Sequence, residues 1–236
     1  MTTEPFDYRD GETLCRGQIA VPGGTDKRPA IAIFADLGGI GEHTERYAND
    51  LAGLGYLALA ADVYGDGKTP KDFAEGMPWV QSWKADPVAL AKRAAAALDA
   101  LAAHPRCDGR LGAIGFCFGG TTVLELARHG HPGYLAGVSF HGDAATPQPA
   151  TKPIATKLLV LHGAEDPLMP GPVLLTFLAE MAAVEADCQT VAYTGAVHSF
   201  TNRNADGSVM PGIKYHERTA KRSWKAMAAH FAEVFA

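Results

Sequence analysis

The chain has 236 residues and a net charge of −5, and 47% of its residues are hydrophobic. This composition is typical of a globular protein that buries a sizeable core, and it excludes disorder as the main character of the chain. A net acidic chain without a run of Lys or Arg argues against nucleic acid or an anionic membrane as the main partner. Because α/β folds can exceed about 200 residues, we treat residues 1–236 as one domain.

The N-terminal residues and the cysteines of the chain favour a cytoplasmic location. Residues 1–12 are acidic and polar, and they lack the basic and apolar regions of a secretory signal. No segment reaches about 18 apolar residues, so we expect no transmembrane helix. The four cysteines are widely spaced and form no C-x-x-C pair, which favours a reducing compartment.

Short apolar runs alternate with helical patterns along the chain. In chain order, strands are predicted over 30–35, 56–61, 111–115, 135–140, 157–162 and 189–193. Helices are predicted over 45–54, 87–103, 119–129, 173–184 and 215–235. Nearly continuous apolar strands that alternate with helices indicate an α/β fold with a mostly parallel sheet and helices on both faces. Three long loops, 62–85, 141–156 and 199–214, are placed to wall a pocket.

One strand-to-helix junction carries a G-x-C-x-G pattern, from Gly115 to Gly119, with Cys117 at its centre. This is the pattern of a nucleophile elbow, with cysteine where serine is usual, and the glycines avoid clashes with neighbouring elements. The positive end of the following helix favours a thiolate. The N–H of Phe118 is then placed to stabilise an oxyanion. The alternative is a buried structural cysteine between two packing glycines.

An acid and a base follow Cys117 in the order that such hydrolases use. Asp166 follows the fifth predicted strand, and His198 follows the sixth. The carboxyl ends of parallel strands share one edge of the sheet, so the three side chains are expected to meet there. Glu165 is a weaker candidate for the acid, and His141 is the main rival base. A turn function for Asp166 is the alternative for that residue.

With these residues the chain resembles the dienelactone hydrolase family of α/β-hydrolases, which use a Cys-Asp-His triad. The resemblance covers roughly residues 15–235 and rests on five segments: 62–65, 115–120, 162–166, 195–200 and 222–224. It implies an α/β-hydrolase fold and hydrolysis of an ester or lactone bond in a small-molecule substrate.

The resemblance also implies functions for the loop after the first predicted strand. Asp36 matches a family carboxylate near the resting thiol, where glutamate is more usual, and it is one methylene shorter. Its alternative function is to cap its own loop. Leu37 matches the residue whose backbone N–H completes the oxyanion hole, a function that does not depend on the side chain.

The substrate-binding segments differ from the family pattern. The family holds a substrate carboxylate with arginines, but residues 77–84 contain none, and Arg203 is shifted by one position after His198. The planar guanidinium of Arg203 still suits a carboxylate. Trp79 and Trp83 predict an aromatic pocket wall, with packing in a cap as the alternative.

These residues predict acyl transfer through Cys117, with His198 moving protons and Asp166 orienting the histidine. No cofactor or metal is needed, and the sequence has no metal-ligand spacing. Two alternatives stay open: a thiol-based redox sensor or binding protein on the same fold, and a hydrolase of thioesters or peptides. We expect a monomer or a homodimer.

Overall fold

The computed structural model describes residues 2–236 and contains one eight-stranded sheet with helices on both faces. The strands are β1 (Glu4–Asp10), β2 (Thr13–Ala20), β3 (Arg28–Phe34), β4 (Leu57–Ala61), β5 (Cys107–Phe116), β6 (Tyr134–Phe140), β7 (Lys157–Gly163) and β8 (Cys188–Tyr193). The helices are α1 (Glu42–Gly53), α2 (Phe73–Ala85), α3 (Pro87–Ala102), α4 (Phe118–His129), α5 (Gly171–Ala183) and α6 (Glu217–Val234).

The sheet is parallel except at one end. Its strand order is β1-β2-β4-β3-β5-β6-β7-β8. Strands β3 to β8 pair in parallel, whereas β1 and β2 form an antiparallel hairpin whose second strand also runs antiparallel to β4. The mostly parallel sheet of an α/β-hydrolase fold is therefore confirmed. Because the six parallel strands end at one edge, the loops that follow them converge there.

Each face of the sheet has its own apolar core. Helices α1 and α6 cover one face, where Leu51 and Phe231 are fully buried. Helices α3, α4 and α5 cover the other face, where Leu90, Val123 and Phe177 are buried. Helix α4 is buried along almost its whole length, because it packs against the sheet on one side and α3 on the other. This burial holds the N-terminus of α4, directly after Cys117, in a fixed position.

Two features differ from the sequence-based expectation. The β1–β2 hairpin lies in a segment for which no strand was predicted, because β1 is half exposed and has no apolar run. The turn is the two-residue loop Gly11-Glu12, whose first position has φ +58°, and glycine at that position is a signal of such a hairpin. Helix α2 lies inside the predicted loop 62–85. It buries only Gly76 and Val80, so its sequence carries no helical apolar stripe.

Candidate active site

Cys117 occupies a strained turn between β5 and α4. Its backbone has φ +54° and ψ −114°, a conformation that side chains rarely adopt. A Cβ on Gly115 would lie 1.9 Å from the Gly119 oxygen, and a Cβ on Gly119 would lie 2.0 Å from the Phe34 oxygen. Both positions therefore require glycine, for the steric reason that the sequence pattern predicts. The thiol is free and partly exposed.

His198 and Asp166 form a buried pair beside this turn. Nδ1 of His198 lies 2.8 Å from Oδ2 of Asp166, and both side chains are at least 97% buried. The other carboxylate oxygen of Asp166 accepts the N–H of Leu168 at 2.8 Å, so both oxygens are occupied. The backbone of His198 is held on both sides, since its N–H donates to Gly212 and its C=O accepts from Lys214. The loops after β7 and β8 thus hold one another in place.

The surroundings of His198 favour its protonated form. Burial lowers its pKa, but the negative charge of Cys117 and the hydrogen bond to Asp166 raise it more, to about 10. Its second ring nitrogen, Nε2, is buried and has no hydrogen-bond partner within residues 2–236. Asp166 therefore orients the imidazole through Nδ1, and the influence of Cys117 on its pKa places the thiol near the ring.

The rival base His141 is occupied elsewhere. Its Nδ1 accepts the backbone N–H of Cys117 at 3.1 Å, and its Nε2 lies 2.7 Å from Oγ1 of Thr201. Burial and the neighbouring charge of His198 hold its pKa well below the usual value, so the ring is neutral. Neither nitrogen is available to accept a thiol proton. The rival acid Glu165 instead accepts the N–H of Gly195 at 2.9 Å.

The loop after β3 brings a second N–H group to this edge of the sheet. Within residues 2–236, the N–H of Leu37 has no hydrogen-bond acceptor. Its C=O accepts the hydroxyl of Tyr64 at 2.9 Å, which fixes the orientation of that peptide. Phe118, the first residue of α4, carries the other predicted donor.

Asp36 caps its own loop. Its Oδ1 accepts the N–H of Gly38 at 3.0 Å and lies 3.6 Å from Nε2 of His43. Asp36 also influences Tyr64. Burial of the Tyr64 hydroxyl raises its pKa, and Cys117 and Asp36 raise it further. Tyr64 therefore lies near both Asp36 and Cys117.

An aromatic pocket extends from Tyr64 beneath helix α2. This cavity of about 270 Å³ is lined by Tyr64, Lys68, Pro78, Trp79, Ser82 and Trp83. The Tyr64 ring stacks on Phe118, with centroids 5.9 Å apart, and meets Trp79 edge-on at 5.2 Å. Phe118 directly follows Cys117, so the Tyr64 ring connects this cavity to the elbow. Both predicted tryptophans line the cavity.

Arg203 does not line the aromatic pocket. It is exposed and lines a cleft of about 680 Å³ between α1 and α6 that also includes Arg46 and Trp224. A second cavity of about 330 Å³ shares Arg46 and Arg203 and includes His43. Neither cavity contains Trp79 or Trp83, so the structure separates Arg203 from the two tryptophans with which sequence reasoning grouped it.

Tyr64 is the residue that sequence reasoning missed. It belongs to the segment 62–65 that supports the family resemblance, but no function was predicted for it. Its signal was a tyrosine three positions after the apolar strand β4, at the same edge of the sheet as the other loops. Only the structure shows that its hydroxyl reaches across to Leu37.

Within residues 2–236, no group of three or more His, Cys, Asp or Glu side chains is arranged to hold a metal ion. In the same part of the chain, every helix is too short or too polar to cross a bilayer.

Comparison with known proteins identifies the family. Residues 15–235 match the model of the dienelactone hydrolase family. A putative carboxymethylenebutenolidase of Salmonella typhimurium is 32% identical over 218 residues, which cover 87% of this chain and 77% of that protein. An uncharacterized protein of Caenorhabditis elegans is 35% identical over 150 residues, covering 62% of this chain and 95% of that one.

Solved structures agree with this result. The structure named m3DLH has a TM-score of 0.94 and 40% identity, covering 99% of this chain and 98% of its own. A dienelactone hydrolase-like promiscuous phosphotriesterase from metagenomic libraries has a TM-score of 0.91 and 39% identity, with the same coverage. The fold and site define an α/β-hydrolase. The chain belongs to the dienelactone hydrolase family and is a hydrolase of the lactone- and ester-cleaving class.

Proposed function

We propose that this enzyme hydrolyses ester or lactone bonds of small molecules through an acyl intermediate on Cys117, with His198 and Asp166 completing a triad. One observation carries the proposal. The buried Asp166–His198 hydrogen bond of 2.8 Å lies beside a cysteine on a glycine-flanked elbow, and the thiol near the histidine ring influences its pKa. A nucleophile, a base and a carboxylate that orients the base are the parts of an acyl-transfer triad, and Cys117, His198 and Asp166 correspond to them.

The first half of the reaction forms the acyl-enzyme. The Cys117 thiolate attacks the carbonyl carbon, and the carbonyl electron pair moves onto oxygen. The N–H groups of Leu37 and Phe118 stabilise this oxyanion. When the C–O bond to the alkoxide breaks, protonated His198 gives its proton to the leaving oxygen.

The second half releases the acid. Neutral His198 takes a proton from water, the resulting hydroxide attacks the thioester carbon, and the C–S bond breaks to restore the thiolate. His198 ends this step protonated, and the acid product loses its own proton to solvent. Asp166 stays ionised throughout and stabilises the imidazolium.

Four further residues are proposed to contact or orient the substrate. Trp79 and Trp83 would contact its apolar part, because they line the cavity that begins at Tyr64. The charge of Asp36 reaches Tyr64, which supports a position for it at the edge of the substrate site. Arg203 would contact only a substrate that extends into the separate cleft beside Arg46.

The test is turnover of p-nitrophenyl acetate and a small lactone panel by wild type, Cys117→Ala and His198→Ala. Either substitution is expected to lower kcat by about 10⁴–10⁶, because the triad acts as a unit. The panel includes an aryl phosphotriester, because a relative of known structure is described as a promiscuous phosphotriesterase.

The matched control is Cys188→Ser, which removes a second half-buried, unpaired thiol outside the site. Its turnover should equal that of wild type. Cys117→Ala with wild-type turnover would overturn the proposal. A response to peroxide that needs Cys117 but not His198 would favour the redox sensor instead.

A further inference from the structure

The aromatic pocket differs in charge from a site built for an anionic substrate. We infer that it takes a neutral aryl group of the ester and disfavours a ring that carries a carboxylate. This inference names the substrate class of the proposed hydrolase and therefore rests on the proposed function. The charged groups around Tyr64, Trp79 and Trp83 determine this preference.

Three cations that line or adjoin the pocket, Arg93, Lys68 and Lys84, each have an anionic partner. Arg93 stacks on Trp83, with its guanidinium 5.2 Å from the ring centroid, but its Nε donates to Asp10 at 2.8 Å and it is almost fully buried. Its Nη1 donates to the Val63 carbonyl at 2.9 Å. The guanidinium that touches the pocket wall is therefore not available to a ligand.

Two lysines are paired in the same way. Lys68 lies at the rim of the cavity and donates to Asp66 at 2.9 Å. Lys84, next to Trp83, forms an ion pair with Asp143. The Lys68 pair is exposed and contributes little on its own. Lys68 is thus the cation that could be released to bind an anion, and the experiment must test it directly.

Asp36 is the carboxylate that influences the Tyr64 hydroxyl. Asp36, Tyr64 and Phe118 line one small cavity, and Tyr64 also lines the aromatic pocket. Nε2 of His43 lies 3.6 Å from Oδ1 of Asp36, and this ion pair forms only when the histidine is protonated. Among the lining residues the only cation is the paired Lys68, so a carboxylate on the substrate would meet the charge of Asp36 without an unpaired cation in the wall. A neutral ring would contact indole and phenol surfaces.

The experiment compares 4-acetoxyphenylacetamide with 4-acetoxyphenylacetate. The two esters share the acetyl group and the ring, and they differ by one charge placed beyond a methylene, so their leaving groups are electronically similar. We expect kcat/KM to be about tenfold or more higher for the neutral amide. Raising the salt concentration should shrink this ratio, because screening weakens the repulsion.

Three variants identify the cause. Trp79→Leu should lower kcat/KM for phenyl acetate by about tenfold while changing that for ethyl acetate much less. Trp224→Leu removes an indole on the opposite face of the sheet, and it should leave the substrate ranking unchanged. Lys68→Met should leave the ratio of neutral to anionic substrate within about threefold.

The inference fails separately from the proposed function. An enzyme that needs Cys117 yet prefers the carboxylate, and loses this preference in Lys68→Met, would overturn only the inference. Equilibrium binding of the two phenol products to wild type, followed by tryptophan fluorescence, decides the question even without turnover. Tighter or equal binding of 4-hydroxyphenylacetate relative to its amide would also overturn it.

Discussion

Single residues at the site show how burial and charge divide the work among similar side chains. His141 and His198 lie with ring centroids 5.1 Å apart, yet their pKa values shift in opposite directions. Asp166 and Cys117 supply negative charge to His198, whereas His141 has only neutral partners and a cationic neighbour. One histidine can therefore move a proton while the other stays neutral and holds the backbone of the nucleophile.

This contrast predicts a pH dependence. The pKa of His198 is raised to about 10, so the imidazolium persists through neutral pH and is lost as the pH rises through that value. Ring-nitrogen NMR of His198 should show a protonated ring at neutral pH, well above the usual value of about 6.5. Asp166→Asn and Cys117→Ala should each move the titration to lower pH, because each removes negative charge.

The control for this titration is Cys188→Ser, which should not move it, since Cys188 does not contribute to the pKa of His198. A wild-type His198 that titrates near the usual value would contradict the charge arrangement described for the site.

At the scale of elements, the N-terminal hairpin supports the site. Asp62, at the end of β4, is buried and accepts three backbone N–H groups, from Arg16 on β2 at 2.9 Å and from Gly65 and Gly67 at 2.8 Å. These bonds shape the turn that carries Tyr64 and tie it to the hairpin. The hairpin thus acts indirectly on the oxyanion loop, because Tyr64 holds Leu37.

Removal of this carboxylate should loosen the turn. Asp62→Ala leaves three backbone donors without this acceptor, of which only that of Gly65 is buried, and it should lower the free energy of unfolding by about 2 kcal/mol. It should also reduce kcat, because Tyr64 would no longer be held against Leu37. Urea denaturation and steady-state kinetics measure the two effects.

Asp66→Asn is the matched control in the same turn. Its carboxylate is exposed and binds only Lys68, so the free energy of unfolding should change by no more than about 0.5 kcal/mol. Equal losses in the two variants would rule out the buried hydrogen bonds as the cause.

At the scale of the whole molecule, a buried ion network connects three parts that follow different strands. Arg128 on α4 pairs with Glu125 at 2.9 Å and with Glu180 on α5 at 2.8 Å, and it donates to the Ala144 carbonyl at 2.8 Å. All three charged side chains are at least 91% buried. The network joins the elbow helix to α5 and to the loop after β6.

Arg128→Met should therefore be strongly destabilising. It leaves two buried carboxylates without a cation, at a cost of about 3–5 kcal/mol in the free energy of unfolding. Their pKa values would rise above those of the unfolded chain, so the loss should be largest at neutral pH and shrink as the pH falls and they bind protons. Chemical denaturation at several pH values measures this.

The rescue variant combines Arg128→Met with Glu125→Gln and Glu180→Gln. It should recover most of the lost stability, since neutral amides cost less to bury than unpaired charges. No recovery would indicate that packing around Arg128, rather than its charge, holds these elements together.

The sequence by itself determined the parallel core of the fold and the placement of the candidate triad. Six apolar runs predicted β3 to β8 because strands buried on both faces need continuous apolar residues. The elbow could be predicted because its two glycines meet a local steric demand. The order of Cys117, Asp166 and His198 along those strands then placed them at one edge.

Only the tertiary structure decided what distant parts of the chain do to one another. The β1–β2 hairpin and α2 are half exposed, so neither carries a strong apolar pattern, and their positions depend on partners far along the chain. The hydrogen bond from Tyr64 to Leu37 and the separation of Arg203 from Trp79 arise in the same way. The spacing of apolar residues along the sequence indicates which residues are buried. The contacts between loops depend instead on how the buried strands are ordered in the sheet.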